Sequence, residues 1–166
     1  MNSPHYVPQP NWPIYSSFII ALLSGLLPVK DTVVAFMPNL VMLVIVYWAL
    51  YRPESIGMGW AWIIGLVQDL VMANLIGHHA MVYVIVVFFI KYALIKKKNY
   101  AFFEYMSWLI AFVILDVIFS MALNWSVQQI SPNWSAIYTV LGSILIWPWL
   151  YAILSIIESI AVQIQD

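Results

Sequence analysis

The chain has 166 residues, of which 64% are hydrophobic and only 8% are charged. Soluble domains contain about a quarter charged residues, so this composition, with a mean hydropathy of +0.93, excludes a soluble protein. The lack of cysteine excludes disulfides and thiolate chemistry, and six basic residues against seven acidic ones provide no basic surface for nucleic acid.

Apolar runs recur along the chain, and each membrane crossing needs roughly 20 residues. The N-terminal segment lacks the positively charged start of a signal peptide, so the first run is expected to remain in the mature protein. We therefore predict about six transmembrane helices in one all-α domain, 1–166. In chain order the predicted spans are 14–29, 39–52, 58–77, 79–97, 104–124 and 136–158.

The basic residues predict the orientation of these spans. Arg52 follows the second span, and Lys91 and Lys96 to Lys98 lie near the end of the fourth. With six spans and both termini in the cytoplasm, all of these residues lie on the cytoplasmic side and only Lys30 lies outside. This arrangement agrees with the excess of Lys and Arg in cytoplasmic loops.

A ridge of small residues, interrupted by one aspartate, runs along the third span. Its members recur at every fourth position, and so share one helical face: Ala61, Gly65, Asp69, Ala73 and Gly77. Small residues allow helices to approach closely in lipid. Asp69 is therefore expected to face a tightly packed helix interface and not the lipid.

A second polar stripe lies on the fifth span, where Asp116, Ser120 and Asn124 are again four residues apart. Counting from the start of each span places both Asp69 and Asp116 roughly 17 Å deep, near the middle of the membrane. No Lys or Arg is expected at that depth, so each carboxylate should be protonated or hydrogen-bonded. The donors that the sequence offers are backbone amides, Gln68, Asn74, Ser120 and Asn124.

Two interpretations of these carboxylates stay open. Ionisable groups inside a membrane are functional by default, for example as a proton relay or a substrate site. The alternative is a polar clasp between helices or a contact to a partner's helix. For such a clasp, Asn should replace Asp69 better than Leu does, because Asn keeps a hydrogen-bond acceptor.

Other features carry weaker signals. Pro148 predicts a bend in the sixth span, because proline deprives a helix of one backbone donor. His78 and His79 are adjacent and should point about 100° apart on a helix, which argues against a metal site. No glycine-rich phosphate loop is present, so nucleotide hydrolysis is not expected, and we predict no cofactor.

The most distinctive segment of the chain is 37–83. It contains Pro38-Asn39, Tyr47-Trp48, Pro53, Gly59, the unit Gly65-Leu66-x-x-Asp69, Gly77 and Ala80, and Asp116 and Trp147-Pro148 extend the pattern. In these positions, in length and in the number of spans, the chain resembles the MreD family of bacterial rod shape-determining proteins.

The resemblance implies a non-catalytic scaffold of the rod elongation machinery in the bacterial cytoplasmic membrane. The implied partners are an MreC-type bitopic protein and the RodA–class B penicillin-binding protein synthase, with the actin-like MreB as an indirect partner. The family's fold is similar to the substrate-binding component of energy-coupling-factor transporters. This similarity supplies an alternative function, a small-molecule-binding subunit of a vitamin-type importer. The sequence does not decide whether the chain forms a homodimer.

The candidate residues for intramembrane packing and partner contact are those of the two stripes and the matched motifs. They are Asp69, Asp116, Gly65, Gly77, Ala61, Ala73, Asn39, Ser120, Asn124 and Pro148.

Overall fold

The structure is a computed structural model that describes residues 10–27, 37–72, 75–96, 102–123, 125–126 and 136–164. These residues form six α-helices and no strand, so the all-α prediction is confirmed. The helices are α1 (Trp12–Ser24), α2 (Leu40–Tyr51), α3 (Met58–Val71), α4 (His78–Lys96), α5 (Phe102–Leu123) and α6 (Ala136–Gln163).

The helices fall into two length classes. α4, α5 and α6 contain apolar stretches long enough to cross a membrane: His78–Ile95, Met106–Leu123 and Tyr138–Gln163. α1, α2 and α3 are apolar but have only 13, 12 and 14 residues. These three are shorter than the roughly 20 residues of an upright crossing helix.

Helix α2 forms the centre of the protein. All residues from Val41 to Leu50 are buried, and Tyr47 and Trp48 have no exposed surface. The helix packs against α1, α4, α5 and α6. Because protein surrounds it, α2 is apolar on every side, as expected of a fully buried helix.

Helices α3 and α4 form a tightly packed hairpin. Ala61, Gly65 and Asp69 are buried on α3, and a methyl group added at Gly65 would lie 2.4 Å from the Cα and N atoms of Ala80 on α4. A Cβ atom essentially never approaches a non-bonded atom so closely, so the two backbones can only pack in this way around a glycine. The described part of the ridge on α3 thus lies against the neighbouring helix of the same hairpin.

The hairpin turn explains why α3 is shorter than the predicted span 58–77. α3 ends at Val71, and Gly77, with a φ of +98°, directly precedes α4. L-residues with side chains rarely adopt this backbone conformation, whereas glycine does so readily. The apolar run in the sequence therefore contains a helix and a turn, and Asp69 lies in the last turn of α3 instead of at the middle of a long helix.

Other candidate residues from the sequence lie on α5 and α6 or outside the residues that the structure describes. Ser120 is half-buried on α5. Pro148 is exposed, and α6 continues on both sides of it. Ala73, Asn74 and Asn124 lie outside the described residues.

Candidate functional site

Buried and half-buried polar side chains from four consecutive helices meet at the end of the protein where α2 begins. We call this group the Asn39 cluster. Its members are Asn39 before α2, Gln68 and Asp69 on α3, His78, His79 and Tyr83 on α4, and Asp116 on α5. Buried polar groups destabilise a protein unless they are hydrogen-bonded, so the partners of each group decide what the cluster can do.

The side chain of Asn39 connects the four helices. Its Oδ1 accepts a 3.2 Å hydrogen bond from the backbone N–H of Met42 and so caps the N-terminus of α2. The same oxygen accepts from Gln68 Nε2 at 3.3 Å and lies 3.1 Å from the Tyr83 hydroxyl. Its Nδ2 donates to Asp116 Oδ2 at 3.1 Å. One amide therefore uses both its donor and its acceptor atoms on other elements of the fold.

Tyr83 and Gln68 complete the inner part of the cluster. The Tyr83 hydroxyl donates to Gln68 Oε1 and also faces Asn39 Oδ1. A hydroxyl carries one proton, so it donates to one of the two oxygens at a time. Both side chains are almost completely buried, and their orientation is fixed by these contacts.

Asp69 is held by the start of the next helix. Its Oδ2 accepts from the backbone N–H of Gly77 at 2.8 Å, and its Oδ1 accepts from the backbone N–H of His79 at 3.1 Å. The His79 Nδ1 atom lies 2.6 Å from the same Oδ1. The first N–H groups of a helix have no partner within the helix and attract negative charge. Asp69 supplies the acceptors for backbone N–H groups at the N-terminus of α4.

These contacts have a consequence for the substitution expected at Asp69. Each of its two oxygens accepts a backbone hydrogen bond. An asparagine offers only one acceptor oxygen, and its NH₂ group would face a second N–H donor. The structure therefore predicts that Asp69→Asn and Asp69→Leu differ less in how well they are tolerated than the sequence suggested.

His78 and Asp116 form the least satisfied part of the cluster. His78 Nε2 lies 3.7 Å from Asp116 Oδ1, which is longer than a hydrogen bond, and in the described part of the chain neither buried atom has a hydrogen-bond partner. The rings of His78 and His79 lie 4.2 Å apart with an angle of 34° between their planes. The expectation that these adjacent histidines diverge was therefore wrong, because in the first turn of α4 the two rings turn towards each other.

A cavity of about 290 Å³ opens beside the cluster. Asn39, His79 and Asp116 contribute polar groups to its wall. Most of the remaining lining is apolar or small and comes from the end of α1 and the residues around the start of α2. Trp125, which follows the fifth predicted span, is exposed and does not line the cavity.

A second polar group surrounds Arg52 at the opposite end of α2. Arg52 Nε donates to Glu158 Oε1 on α6 at 3.0 Å, and its Nη1 donates to the carbonyl of Pro10 at 2.8 Å. The Tyr47 hydroxyl donates to Glu158 Oε2 at 3.2 Å. From the sequence, Arg52 indicated only the orientation of the spans, and Glu158 carried no prediction. The available signal was one acidic residue within the sixth apolar run and the only arginine of the chain.

Comparisons with known proteins agree with the resemblance seen in the motifs. The family model described as rod shape-determining protein MreD matches residues 9–157. A relative described as rod shape-determining protein MreD from Haemophilus influenzae is 29% identical over 143 residues, which cover 85% of this chain and 87% of the relative. No solved structure matches the chain, so the likeness to energy-coupling-factor transporter components stays a prediction. Because the family model covers most of its length, the chain belongs to the MreD family of rod shape-determining membrane proteins.

Proposed function

We propose that this protein acts as a non-catalytic scaffold of the rod elongation machinery in the bacterial cytoplasmic membrane. The Asn39 cluster carries this proposal. Most of its polar atoms bond to one another or to helix termini, and together they hold α2, α3, α4 and α5 in one arrangement. Because these polar groups hold the helices together and are not free to react, the cluster favours a rigid protein that binds other proteins.

The proposed partners are an MreC-type bitopic protein and the RodA–class B penicillin-binding protein pair, with MreB-type filaments contacted indirectly. The lateral surface of α6 supports contacts of this kind. Leu145, Trp149 and Ile153 recur every four residues on α6 and are all exposed. Such a face suits the lipid bilayer and also the packing of a partner helix, since helices in lipid associate through close side-chain contact.

The proposed orientation places both termini, and the Arg52 end of α2, in the cytoplasm. The Asn39 cluster then lies towards the outer face. Reporter fusions after Asn99 and at the C-terminus should read cytoplasmic, and a fusion within 126–133 should read periplasmic. A cytoplasmic signal from the last fusion would contradict this orientation.

A second candidate function is a small-molecule-binding subunit of an importer. The cavity beside the Asn39 cluster is the observation that favours it. However, pockets for drug-sized ligands usually measure about 300–1,000 Å³ and are lined by apolar and aromatic side chains. At about 290 Å³, and with His79 as the one aromatic residue among the described residues of its lining, this cavity fits a vitamin poorly.

Co-purification separates the two functions. The chain, expressed as the only copy in rod-shaped cells, is isolated after mild crosslinking of the membranes. The scaffold predicts recovery of the MreC-type protein and the synthase at a constant ratio to the chain. An importer subunit predicts their absence and a small molecule that mass spectrometry detects in the purified protein at about one per chain.

A further inference from the structure

Two buried atoms of the Asn39 cluster face each other, and neither has a hydrogen-bond partner among the described residues. They are His78 Nε2 and Asp116 Oδ1, 3.7 Å apart. Both residues are only 9% exposed. A buried polar atom without a hydrogen bond destabilises the folded state, so the pair indicates a group that is bound between these side chains.

The surrounding side chains are metal ligands in type and in position. Asp69, His78 and His79 each offer one ligand atom, and the three atoms lie within 4.8 Å of one another. Zn–N bonds of 2.0–2.1 Å place the ligands of one tetrahedral zinc ion about 3.4 Å apart. His79 Nδ1 and Asp69 Oδ1 are 2.6 Å apart, so these two atoms would have to move apart to hold one ion. Asp116 Oδ1 lies outside this group of three but only 3.7 Å from His78 Nε2, and is the candidate for a fourth ligand.

Charge favours a divalent cation. Asp69 and Asp116 are both buried, and within the described part of the chain no Lys or Arg forms an ion pair with either of them. One divalent ion would balance the charge of two carboxylates whose described partners are otherwise amide groups and imidazoles. Imidazole and carboxylate ligands together suit zinc and similar transition metals.

The outer contacts also resemble those of a metal site. Ligand side chains are usually oriented by further hydrogen bonds. Here Asn39 Nδ2 holds the second oxygen of Asp116, and the backbone N–H of Gly77 holds the second oxygen of Asp69. The cavity lined by His79 and Asp116 provides a path by which an ion can enter.

We propose that His78, His79, Asp69 and Asp116 form a binding site for a divalent transition-metal ion of the zinc class. The ion would connect α3, α4 and α5 and strengthen a cluster that hydrogen bonds already hold together. Its role is structural, and the scaffold function does not depend on it.

Metal titration tests this site directly. The full-length protein, purified with a tag that does not bind metals and reconstituted in lipid nanodiscs, is treated with a chelator and titrated with Co²⁺. We expect one ion per chain, the visible absorption of cobalt with nitrogen and oxygen ligands, and displacement by Zn²⁺. His78→Gln and Asp116→Asn should each weaken binding at least tenfold. His5→Gln is the matched control, because His5 is the one histidine outside the site, and it should bind as the wild type does.

A second measurement does not depend on the folding of variants. Zn²⁺ added to the chelated wild-type protein should raise its Tm, because a ligand that binds only the folded state stabilises that state. An unchanged Tm together with no stoichiometric Co²⁺ binding would overturn the proposal. Binding that is equally strong in the His78→Gln and Asp116→Asn variants would overturn it too.

Discussion

Asn39 Nδ2 donates a 3.1 Å hydrogen bond to Asp116 Oδ2, although the two residues are 77 positions apart in the chain. The bond connects the N-terminus of α2 to the middle of α5. Because the same Asn39 side chain also caps α2 and accepts from Gln68, its loss should affect several helix contacts at once.

Asn39→Ala should therefore destabilise the folded protein strongly. It removes a helix cap and leaves buried donors and acceptors without partners, a combined effect of about 2–4 kcal/mol. Thermal unfolding in detergent, followed by fluorescence-detected size exclusion, measures the loss. The control is Asn11→Ala, because Asn11 precedes α1 but its side chain forms no capping hydrogen bond. Equal melting temperatures for the two variants would contradict the central position of Asn39.

Gly65→Ala should separate α3 from α4. The new methyl group would lie 2.4 Å from backbone atoms of Ala80, which cannot move aside as a flexible side chain can. Overpacking of this kind destabilises a protein by about 1–3 kcal/mol, and Gly65→Leu should be more severe. Gly59→Ala on the same helix is the matched control, because an added methyl group there meets nothing within 4 Å. The ratio of folded to aggregated protein after heating should fall for Gly65→Ala and stay unchanged for Gly59→Ala.

Gly77→Ala tests the turn between α3 and α4. The positive φ of 98° at Gly77 is strained for alanine, by about 1–2 kcal/mol, although space for the methyl group is available. Gly57→Ala is the control, since Gly57 has a φ of −90° and equally open surroundings. A protease-resistance assay at graded temperatures should show earlier cleavage for Gly77→Ala alone. Equal resistance of both variants would show that the turn tolerates a side chain.

The pair of Arg52 and Glu158 should behave as a coupled unit. Arg52 is 2% exposed, so Glu158→Ala leaves a buried positive charge without its partner and should destabilise the protein by about 2–3 kcal/mol. The double variant Arg52→Met/Glu158→Ala should recover part of the loss, because it removes the unpaired charge. Melting temperatures of the single and double variants give the coupling, with the exposed Glu54→Ala as control. Additive effects of the two substitutions would exclude a significant interaction between Arg52 and Glu158.

Part of this architecture could be predicted from the sequence. The spacing of Ala61, Gly65 and Asp69 by four residues predicted a shared buried face, because helical periodicity is a local property. Asp69 has no neighbour of opposite charge in the sequence, and this suggested hydrogen-bonded partners. Backbone amides were among the expected donors, and the structure places those of Gly77 and His79 on its carboxylate.

The rest depended on tertiary contacts and backbone angles that hydropathy does not report. The apolar run continues past Val71, so hydropathy did not indicate where α3 ends. The glycine at position 77 was the one signal of a turn in this run. The contact between Asn39 and Asp116 arises only when α2 packs against α5. The approach of the His78 and His79 rings depends on side-chain rotamers at a helix start, where the angular spacing of a regular helix predicts little.

The decisive question is whether the Asn39 cluster supports the fold or carries ionisation chemistry, and Asp116→Asn separates the two. Asparagine keeps an oxygen that can accept from Asn39 and places an NH₂ group near His78 Nε2, but it cannot bind and release a proton at neutral pH. In cells whose own copy is deleted, a scaffold predicts that this variant, at wild-type abundance, restores rod shape even if metal binding is weakened. Rounded cells containing normal amounts of the variant, with its partners still recovered, would contradict the scaffold and indicate a titrating carboxylate.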